Sequence, residues 1–238
     1  MAAQSRRPAC NPAAFRVVVD VGHTIEKPGA RSARGVAEFE FNFRLASLAE
    51  QKLIEAGFEK SVLLVTAAQP RASLYDRAAY ANDVSADLFL SIHHDSVPDG
   101  FLEKWDYEGE QRAFSDRFKG HSLFVSRGNG NFKGSLLFGK LLGQQLQERD
   151  LLYTRHYTDP IMGRWQRELL DAGAGVYRYD ELVVLKETRM PAVLLEAGSI
   201  INRDEELAMA SPERQAIISD AVVDAVKAFC RARATRPR

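Results

Sequence analysis

Short apolar runs, each about the length of one strand, alternate along this chain with longer amphipathic stretches. Four of these runs are predicted to be buried strands, at residues 15–21, 61–68, 86–94 and 191–200. Strands that are apolar throughout are covered on both faces, which is typical of parallel sheets with crossover helices. The sequence therefore predicts an α/β fold, a single domain with a mostly parallel twisted sheet and helices on both faces.

The helical spacing of apolar residues predicts the covering helices at residues 36–56, 73–84, 134–149 and 212–232. Two other segments, 97–133 and 150–180, are polar, aromatic-rich and dotted with glycine. They are predicted to be long excursions from the sheet, and long loops in compact domains are often functional.

Length and charge narrow the possible functions. A chain of 238 residues can bury one sizeable core, and we expect an N-terminal arm at 1–14, one folded domain at 15–232 and a flexible tail at 233–238. Basic and acidic residues number 32 each, so no long-range attraction to nucleic acid is expected. No apolar run approaches the roughly 20 residues of a membrane span, and the N-terminus shows no secretory signal.

Two cysteines, Cys10 and Cys230, lie near opposite ends of the chain. Two unrelated thiols are the simpler interpretation. The alternative is a disulfide that ties the N-terminal arm to the last helix, which would fit an oxidising compartment.

Three of the predicted strands end at a residue that can do chemistry. The first leads through Gly22 to His23, the third reaches His93, and the last reaches Glu196. The carboxyl ends of parallel strands meet along one edge of a sheet, where ligands bind. Glu38 lies in the first turn of the helix that follows the first strand and begins at that edge. These side chains are therefore expected to meet in space.

Two imidazoles and one carboxylate are the ligands of a catalytic zinc site that leaves one position for water. A second carboxylate outside the metal site can act as general base and acid. Spacing alone leaves the carboxylate ligand open among Glu26, Glu38 and Glu40. Asp20 can either bind metal itself or orient His23.

Each residue also has a purely structural interpretation. A lone histidine in a soluble domain is more often structural or exposed than a metal ligand. His94 competes with His93, but alternation of side chains along a strand puts the two on opposite faces. A glutamate that ends a buried strand needs a partner, so Glu196 could instead form an ion pair with Arg189 or Arg203.

Three blocks of sequence within residues 17–206 resemble, in the same order, the signature blocks of a known family. The first contains DVGH (20–23), PGA (28–30) and GVAE (35–38). The second contains Arg77, AN (81–82), AD (86–87) and SIH (91–93), and the third contains Pro191, Leu194, Glu196, Gly198 and Asn202. They resemble the zinc-dependent N-acetylmuramoyl-L-alanine amidases of the family 3 type.

This resemblance implies a phosphorylase/hydrolase-like α/β fold and one zinc ion held by His23, Glu38 and His93. It implies that residues 15–232 form the catalytic domain and that Glu196 is its catalytic carboxylate. The implied reaction is hydrolysis of the amide between N-acetylmuramic acid and L-alanine in peptidoglycan.

The chain departs from the family pattern at a few positions. They are valine for proline at 21, threonine for glycine at 24, aspartate for asparagine at 95, and Ser-Ile-Ile for Phe-Leu-Ser at 199–201. No departure removes a ligand or the catalytic carboxylate, so they bear on substrate detail. Asp20, Asp95 and Asn202 are expected to support the ligands or to bind substrate.

Two other functions remain open at this point. A zinc peptidase that cleaves another stem-peptide amide would use the same ligands, because specificity lies in the groove. A non-catalytic cell-wall module would keep the fold but lose a ligand or the catalytic carboxylate. By resemblance, segment 97–133 or 159–175 could cover the metal as an inhibitory element, and the simpler interpretation is a groove wall or surface loop.

The implied partners are peptidoglycan or muropeptides and a possible protein activator. No nucleic acid and no membrane span are expected, and the chain is expected to be a monomer. Because the cell wall lies outside the cytoplasmic membrane, the inferred function indicates a periplasmic or extracellular location.

Overall fold

A central sheet of seven strands runs through the computed structural model, which describes residues 10–67 and 70–235. In chain order the strands are β1 (Val17–Val21), β2 (Val62–Leu64), β3 (Leu88–Asp95), β4 (Glu103–Tyr107), β5 (Glu110–Phe114), β6 (Ser122–Val125), β7 (Leu169–Asp171), β8 (Val176–Arg178) and β9 (Ala192–Ser199). β4 and β5 form a separate hairpin, and the other strands lie side by side in the order β2-β1-β3-β9-β6-β8-β7.

Neighbouring strands are parallel in four of the six pairs of this sheet. β1 pairs in parallel with β2 and β3, β3 with β9, and β6 with β8. β6 runs antiparallel to β9, and β7 runs antiparallel to β8. The predicted mostly parallel sheet is confirmed, and the carboxyl ends of β1, β3 and β9 lie along one edge.

Helices cover the sheet on both faces. They are α1 (Glu38–Glu55), α2 (Pro70–Asp83), α3 (Phe132–Gln147), α4 (Val183–Glu187), α5 (Arg203–Ala210) and α6 (Pro212–Thr235). α1, α3 and α6 share one core through Leu45, Phe138 and Phe229, and α2 and α4 share the other through Ala81 and Leu185. The predicted cover on both faces is therefore confirmed. Within the described residues, no helix is long and apolar enough to cross a membrane.

Alternation along β3 assigns successive side chains to the two cores. Leu88, Leu90 and Ile92 belong to the core under α1, α3 and α6, and Phe89 belongs to the opposite core. Full burial of one such side chain contributes about 1.5–3 kcal/mol to stability. β3 is thereby fixed in the middle of the sheet, and its last residues emerge at the carboxyl edge.

The two predicted excursions contribute strands, which corrects the expectation that they leave the sheet. Segment 97–133 supplies the β4–β5 hairpin and also β6, which is buried throughout and lies beside β9. Segment 150–180 supplies β7 and β8, of 3 residues each. Strands this short contain too few residues for a period of two to be recognised.

The N-terminal arm is joined to the last helix by a disulfide between Cys10 and Cys230, whose Cα atoms are 5.4 Å apart. The interpretation of two unrelated thiols is therefore wrong. The bond lies on the side of the sheet where β1 begins, because Phe15, just before β1, packs against Phe229 with ring centroids 6.4 Å apart.

The predicted tail at 233–238 starts inside a helix. α6 continues to Thr235, and the guanidinium of Arg233 pairs with Asp87 Oδ1 at 3.2 Å. The first part of the tail is thus helical rather than frayed. Residues 236–238, like residues 1–9 of the predicted arm, lie outside the described residues.

Candidate metal centre

The loop after β1 turns His23 toward the end of β3. β1 is buried along its whole length, and His23 then adopts a φ of 67°, which is uncommon for a residue other than glycine. Arg77, buried in α2, donates hydrogen bonds to the carbonyl oxygens of Val21 and His23. Asp20 fixes Arg77 through an ion pair of 3.0 Å. Asp20 therefore holds the His23 loop through Arg77.

Two glycines allow the three predicted ligands to lie close to the backbone. A Cβ at Gly22 would lie 2.5 Å from the His93 ring, and a Cβ at Gly29 would overlap Glu38 and the His23 ring. Gly29 also has a φ of 80°, a conformation that favours glycine. A side chain at either position would displace a predicted ligand.

Glu38 begins α1 and lies buried between the two histidines. Its Oε2 is 2.9 Å from His23 Nε2, and its Oε1 is 3.0 Å from His93 Nδ1. One possible donor atom from each of the three residues lies within 4.8 Å of the others. The structure thus brings the three predicted ligands together, and two nitrogens with one carboxylate oxygen form a donor set of the zinc type.

The carboxyl group of Glu38 is ionised although it is buried. Burial raises its pKa, but hydrogen bonds and charge interactions with His23 and His93 outweigh burial and hold the pKa well below its usual range. The backbone N–H of Ala30 donates a further hydrogen bond to Oε2 at 3.1 Å. A charged and oriented carboxylate is suited to bind a divalent cation.

A buried amide supports the other oxygen of Glu38. Asn42, one turn along α1, donates from Nδ2 to Glu38 Oε1 at 3.1 Å and to the carbonyl oxygen of Gly22 at 3.2 Å. His94 Nδ1 lies 2.8 Å from Asn42 Oδ1, and burial lowers the pKa of His94 to about 3. The neutral ring therefore donates to Asn42. His94 packs on the α1 side of β3, opposite the face of His93.

Glu196 lies beside His93, because strand register pairs the two residues directly across β3 and β9. Its Oε2 is buried and has no hydrogen-bond partner among the described residues. Burial raises the pKa of Glu196 well above its ordinary value, and the nearby carboxylates of Asp95 and Glu38 raise it further. An unpaired carboxyl group with a raised pKa is suited to accept and return a proton.

Tyr157, which no sequence pattern singles out, contacts Asp95 beside Glu196. Its hydroxyl donates to Asp95 Oδ1 and Oδ2, at 2.9 and 2.8 Å. Burial raises the pKa of Asp95 to about 7, against the lowering effect of the bond from Tyr157. Near the end of β3, His93 and Asp95 therefore flank the buried His94 in sequence.

The other candidate residues do not join the cluster. Glu26 is exposed, and Glu40 forms an ion pair with Arg44 at 3.3 Å. Arg203 pairs with an aspartate elsewhere, and within the described residues no arginine forms an ion pair with Glu196. The structural alternative for Glu196 thus lacks its partner.

Asn202 caps helix α5. Its Oδ1 accepts hydrogen bonds from the backbone N–H groups of Asp204 and Glu205 at 3.1 and 3.0 Å, and its Nδ2 donates to the carbonyl oxygen of Asp116 at 3.0 Å. These bonds explain an asparagine at this position by helix capping. A role in substrate binding stays a prediction.

The two segments considered as inhibitory elements pack against other parts of the chain. Trp105 of the β4–β5 hairpin donates from Nε1 to the carbonyl oxygen of Ala33 at 2.9 Å, in the loop before α1. In the described parts of the chain, neither the hairpin nor segment 159–175 has a hydrogen bond or ion pair to the three ligands. Such contacts fit a groove wall, and inhibition stays a prediction.

The family model described as N-acetylmuramoyl-L-alanine amidase (Amidase_3) matches residues 17–228. The chain belongs to this family. The matched region runs from the first residue of β1 into α6, and it includes His23, Glu38, His93 and Glu196. The amidase resemblance of the three sequence blocks is thereby confirmed.

Curated relatives of this amidase-family chain include the "Probable cell wall amidase LytH" of Staphylococcus aureus. It is 24% identical over 217 residues, which cover 90% of this chain and 57% of the relative. The chain therefore spans little more than half the length of the curated relatives it matches.

Solved structures share the fold. Ami1 from Mycobacterium smegmatis has a TM-score of 0.69 at 19% identity, covering 92% of this chain and 98% of that chain. The catalytic domain of CwlV from Bacillus (Paenibacillus) polymyxa has a TM-score of 0.64 at 23% identity, covering 90% and 97%. CwlD from Clostridioides difficile, solved in complex with the GerS lipoprotein, has a TM-score of 0.64 at 17% identity, covering 90% and 98%.

Proposed function

We propose that this chain hydrolyses the amide between N-acetylmuramic acid and L-alanine in peptidoglycan, with zinc as cofactor. The observation that carries the proposal is the convergence of His23, Glu38 and His93, with Glu196 as the direct register neighbour of His93. Three metal ligands and a separate proton-transfer group are the parts that metal-assisted amide hydrolysis needs. Family membership supports the substrate class.

The donor set fits zinc in kind, since two histidines and one carboxylate are the ligands of catalytic zinc sites. One donor atom from each of the three residues lies within 4.8 Å of the others. The Glu38 carboxylate lies between the rings, with Oε2 2.9 Å from His23 Nε2 and Oε1 3.0 Å from His93 Nδ1. When bound there, zinc supplies Lewis-acid polarisation of the scissile carbonyl and makes a water acidic enough to react at neutral pH.

Glu196 is the residue proposed to move the proton. Its ionised carboxyl group takes a proton from the attacking water and delivers it to the amide nitrogen as the carbon–nitrogen bond breaks. The products are a lactyl carboxylate on the sugar and a free amine on L-alanine. The Oε2 atom has no partner among the described residues, which leaves it available to a water or a substrate nitrogen.

Location and partners follow from the same proposal. The disulfide between Cys10 and Cys230 fits an oxidising compartment, as the periplasm and the exterior are. Peptidoglycan or its muropeptide fragments are the proposed partners, and the chain is proposed to act as a monomer. A protein activator is a further proposal, supported by the structure of CwlD with its lipoprotein.

Product analysis tests the proposed reaction. We expect the zinc-loaded protein to release, from purified peptidoglycan, stem peptides that begin with L-alanine and glycans with free lactyl carboxylates, both identified by mass spectrometry. Cleavage at another stem-peptide amide would instead mean a zinc peptidase. No release at all by protein with stoichiometric zinc would mean a non-catalytic module or an enzyme that works only with the proposed activator.

Metal analysis of one variant tests the proposed ligand set. His23→Ala should lose stoichiometric zinc, because two of three protein donors hold the ion poorly, and should lose product release with it. Glu26→Ala is the matched control, since Glu26 is exposed in the same loop and lies outside the cluster. Full zinc occupancy in His23→Ala would contradict the assignment.

A further inference from the structure

A groove lined by aromatic and arginine side chains opens beside the metal centre. Its volume is about 530 Å³, within the range of small-ligand sites. Its walls combine three aromatic residues with two arginines: Tyr157, Trp165, Tyr179, Arg164 and Arg167. One acidic residue, Asp99, is among its described lining residues, so the lining carries a net positive charge.

The two arginines have no acidic partner among the described residues. The acidic residues that flank their segment are engaged elsewhere: Asp159 pairs with Arg117 at 3.4 Å, and Glu168 pairs with Arg178 at 2.6 Å. The Arg167 guanidinium donates from Nη1 to the backbone carbonyl oxygens of Arg164 and Gln166, at 3.3 and 2.9 Å, and its buried Nε has no acceptor within the described residues. Both guanidiniums can therefore bind an anion without breaking an ion pair.

Aromatic rings hold both guanidiniums by cation–π contact. The Arg167 guanidinium lies 3.9 Å from the centroid of Tyr179, and that of Arg164 lies 4.3 Å from the centroid of Trp165. A guanidinium is planar and carries its N–H donors in a fork that matches the two oxygens of a carboxylate. The ring contacts limit the freedom of both arginine side chains, so the pair suits an anion of this shape.

The groove reaches the residues around Glu196. Ser96, which lines it, directly follows Asp95, and Tyr157, which also lines it, donates its hydroxyl to Asp95. Asp95 lies two residues after His93, whose direct neighbour across β3 and β9 is Glu196. A peptide in this groove would therefore extend toward the place where the amide is hydrolysed.

We infer that this groove binds an acidic peptide, and that Arg164 and Arg167 hold one of its carboxylates. The inference rests on the proposed function in one respect: it takes this peptide to be the part of the substrate that follows the scissile amide. The chain would then prefer stem peptides with a free carboxylate to those in which that carboxylate is amidated.

Binding of a matched pair of peptides tests the inference. The probes are L-alanyl-γ-D-glutamyl-L-lysine and its counterpart with the α-carboxyl group of D-glutamate amidated, titrated calorimetrically into the zinc-loaded protein. Neither contains the muramoyl amide, so both report binding whether or not the chain cleaves that bond. We expect the acid to bind about tenfold more tightly, which is the effect of one charge-assisted hydrogen bond.

Arginine variants assign that preference to the groove. Arg164→Gln, at an exposed position, should reduce the ratio of the two affinities to below about threefold, and Arg167→Lys should reduce it less than Arg167→Gln. Arg155→Gln is the matched control: Arg155 also stacks on a tyrosine, with 5.7 Å to the centroid of Tyr153, but it lines a neighbouring cavity. This control should keep the full ratio.

Three results would overturn the inference: equal affinity for acid and amide in the unaltered protein, an unchanged ratio in Arg164→Gln, or an equal loss in Arg155→Gln. Any contact of the peptide with zinc is common to all variants, so it cancels when the ratio of acid to amide affinity is compared between them. A preference for the acid peptide that depends on the arginines, without cleavage of N-acetylmuramoyl-L-alanyl-D-glutamate, would disprove only the proposed function. Cleavage without this preference would disprove only the present inference.

Discussion

The candidate metal centre and the arginine groove lie at the same edge of the sheet but are formed by different kinds of backbone. The centre is formed where the buried strands β1, β3 and β9 end, and Glu38 is held there by His23, His93, Asn42 and the backbone of Ala30. The groove is formed by short 3-10 turns at His156–Thr158 and Pro160–Trp165, with its arginines unpaired among the described residues. The sheet positions the proposed metal ligands, and the connecting segments form the groove proposed for recognition.

The largest expected effect is a loss of catalytic rate from a change at the candidate metal centre that leaves the arginine groove intact. Glu196→Gln should lower the rate of product release by about 10²–10⁴-fold, because the proposed general base is lost. Zinc content and the ratio of affinities for acid and amide peptides should stay the same. Activity, zinc and the peptide ratio are measured on one preparation, and near-normal turnover would remove Glu196 from its proposed role.

Loss of the disulfide, at the opposite edge of the sheet, should lower stability without changing the candidate metal centre or the arginine groove. The double variant Cys10→Ser/Cys230→Ser should lower the free energy of unfolding by about 2–5 kcal/mol, as loss of a native disulfide commonly does. Urea denaturation gives this value, with reduced unaltered protein as the control. Equal stability of the oxidised and reduced proteins would contradict a stabilising role of the bond. A change in zinc affinity would contradict its independence from the candidate metal centre.

A smaller effect is expected from the support of the carboxylate ligand. Asn42→Ala removes the donor to Glu38 Oε1 and should weaken zinc binding by about 10–100-fold, the range for residues that orient metal ligands. Competition with a chelator measures this affinity. Gln51→Ala, an exposed amide on the same helix, is the control, and equal zinc affinity in the two variants would mean that Asn42 serves only the packing of α1.

The smallest expected effect is a shift of the pH profile. Asp95 raises the pKa of Glu196 through its charge, and the proposed base must be ionised to act. Asp95→Asn removes that charge and lowers the pKa of Glu196, so activity should persist to lower pH than in the unaltered protein. The acid limb of kcat/KM measures the shift. Asp106→Asn, in the exposed hairpin, should leave the acid limb of kcat/KM unchanged. A shift of that limb toward higher pH in Asp95→Asn would contradict the expected direction.

Much of the candidate metal centre could be predicted because its residues follow apolar stretches of buried strands. His93 and Glu196 come after the apolar first parts of β3 and β9, strands of 8 residues each, and parallel strands bring such positions side by side. Alternation also separates His93 from His94. The choice of Glu38 over Glu26 and Glu40 came from family resemblance, since spacing leaves all three possible.

The supporting residues and the groove could be predicted only in small part. Asn42 lies four residues after Glu38, which places both on one face of a helix, and this spacing is a signal that sequence alone could use. Tyr157, Arg164 and Arg167 lie in irregular backbone, where no period relates sequence to position. The contact of Tyr157 with Asp95 depends on the tertiary packing around β6, β7 and β8, strands that are too short to recognise.

The bond between Cys10 and Cys230 spans a sequence separation of 220, so it closes nearly the whole chain into a covalent ring. A single cut by a protease, in the β4–β5 hairpin or in any exposed turn, would leave the two fragments tethered. Nicked protein would keep its apparent mass until a reductant is added. In the oxidising compartment proposed for this chain, such a ring would let a loop be cut without loss of a fragment.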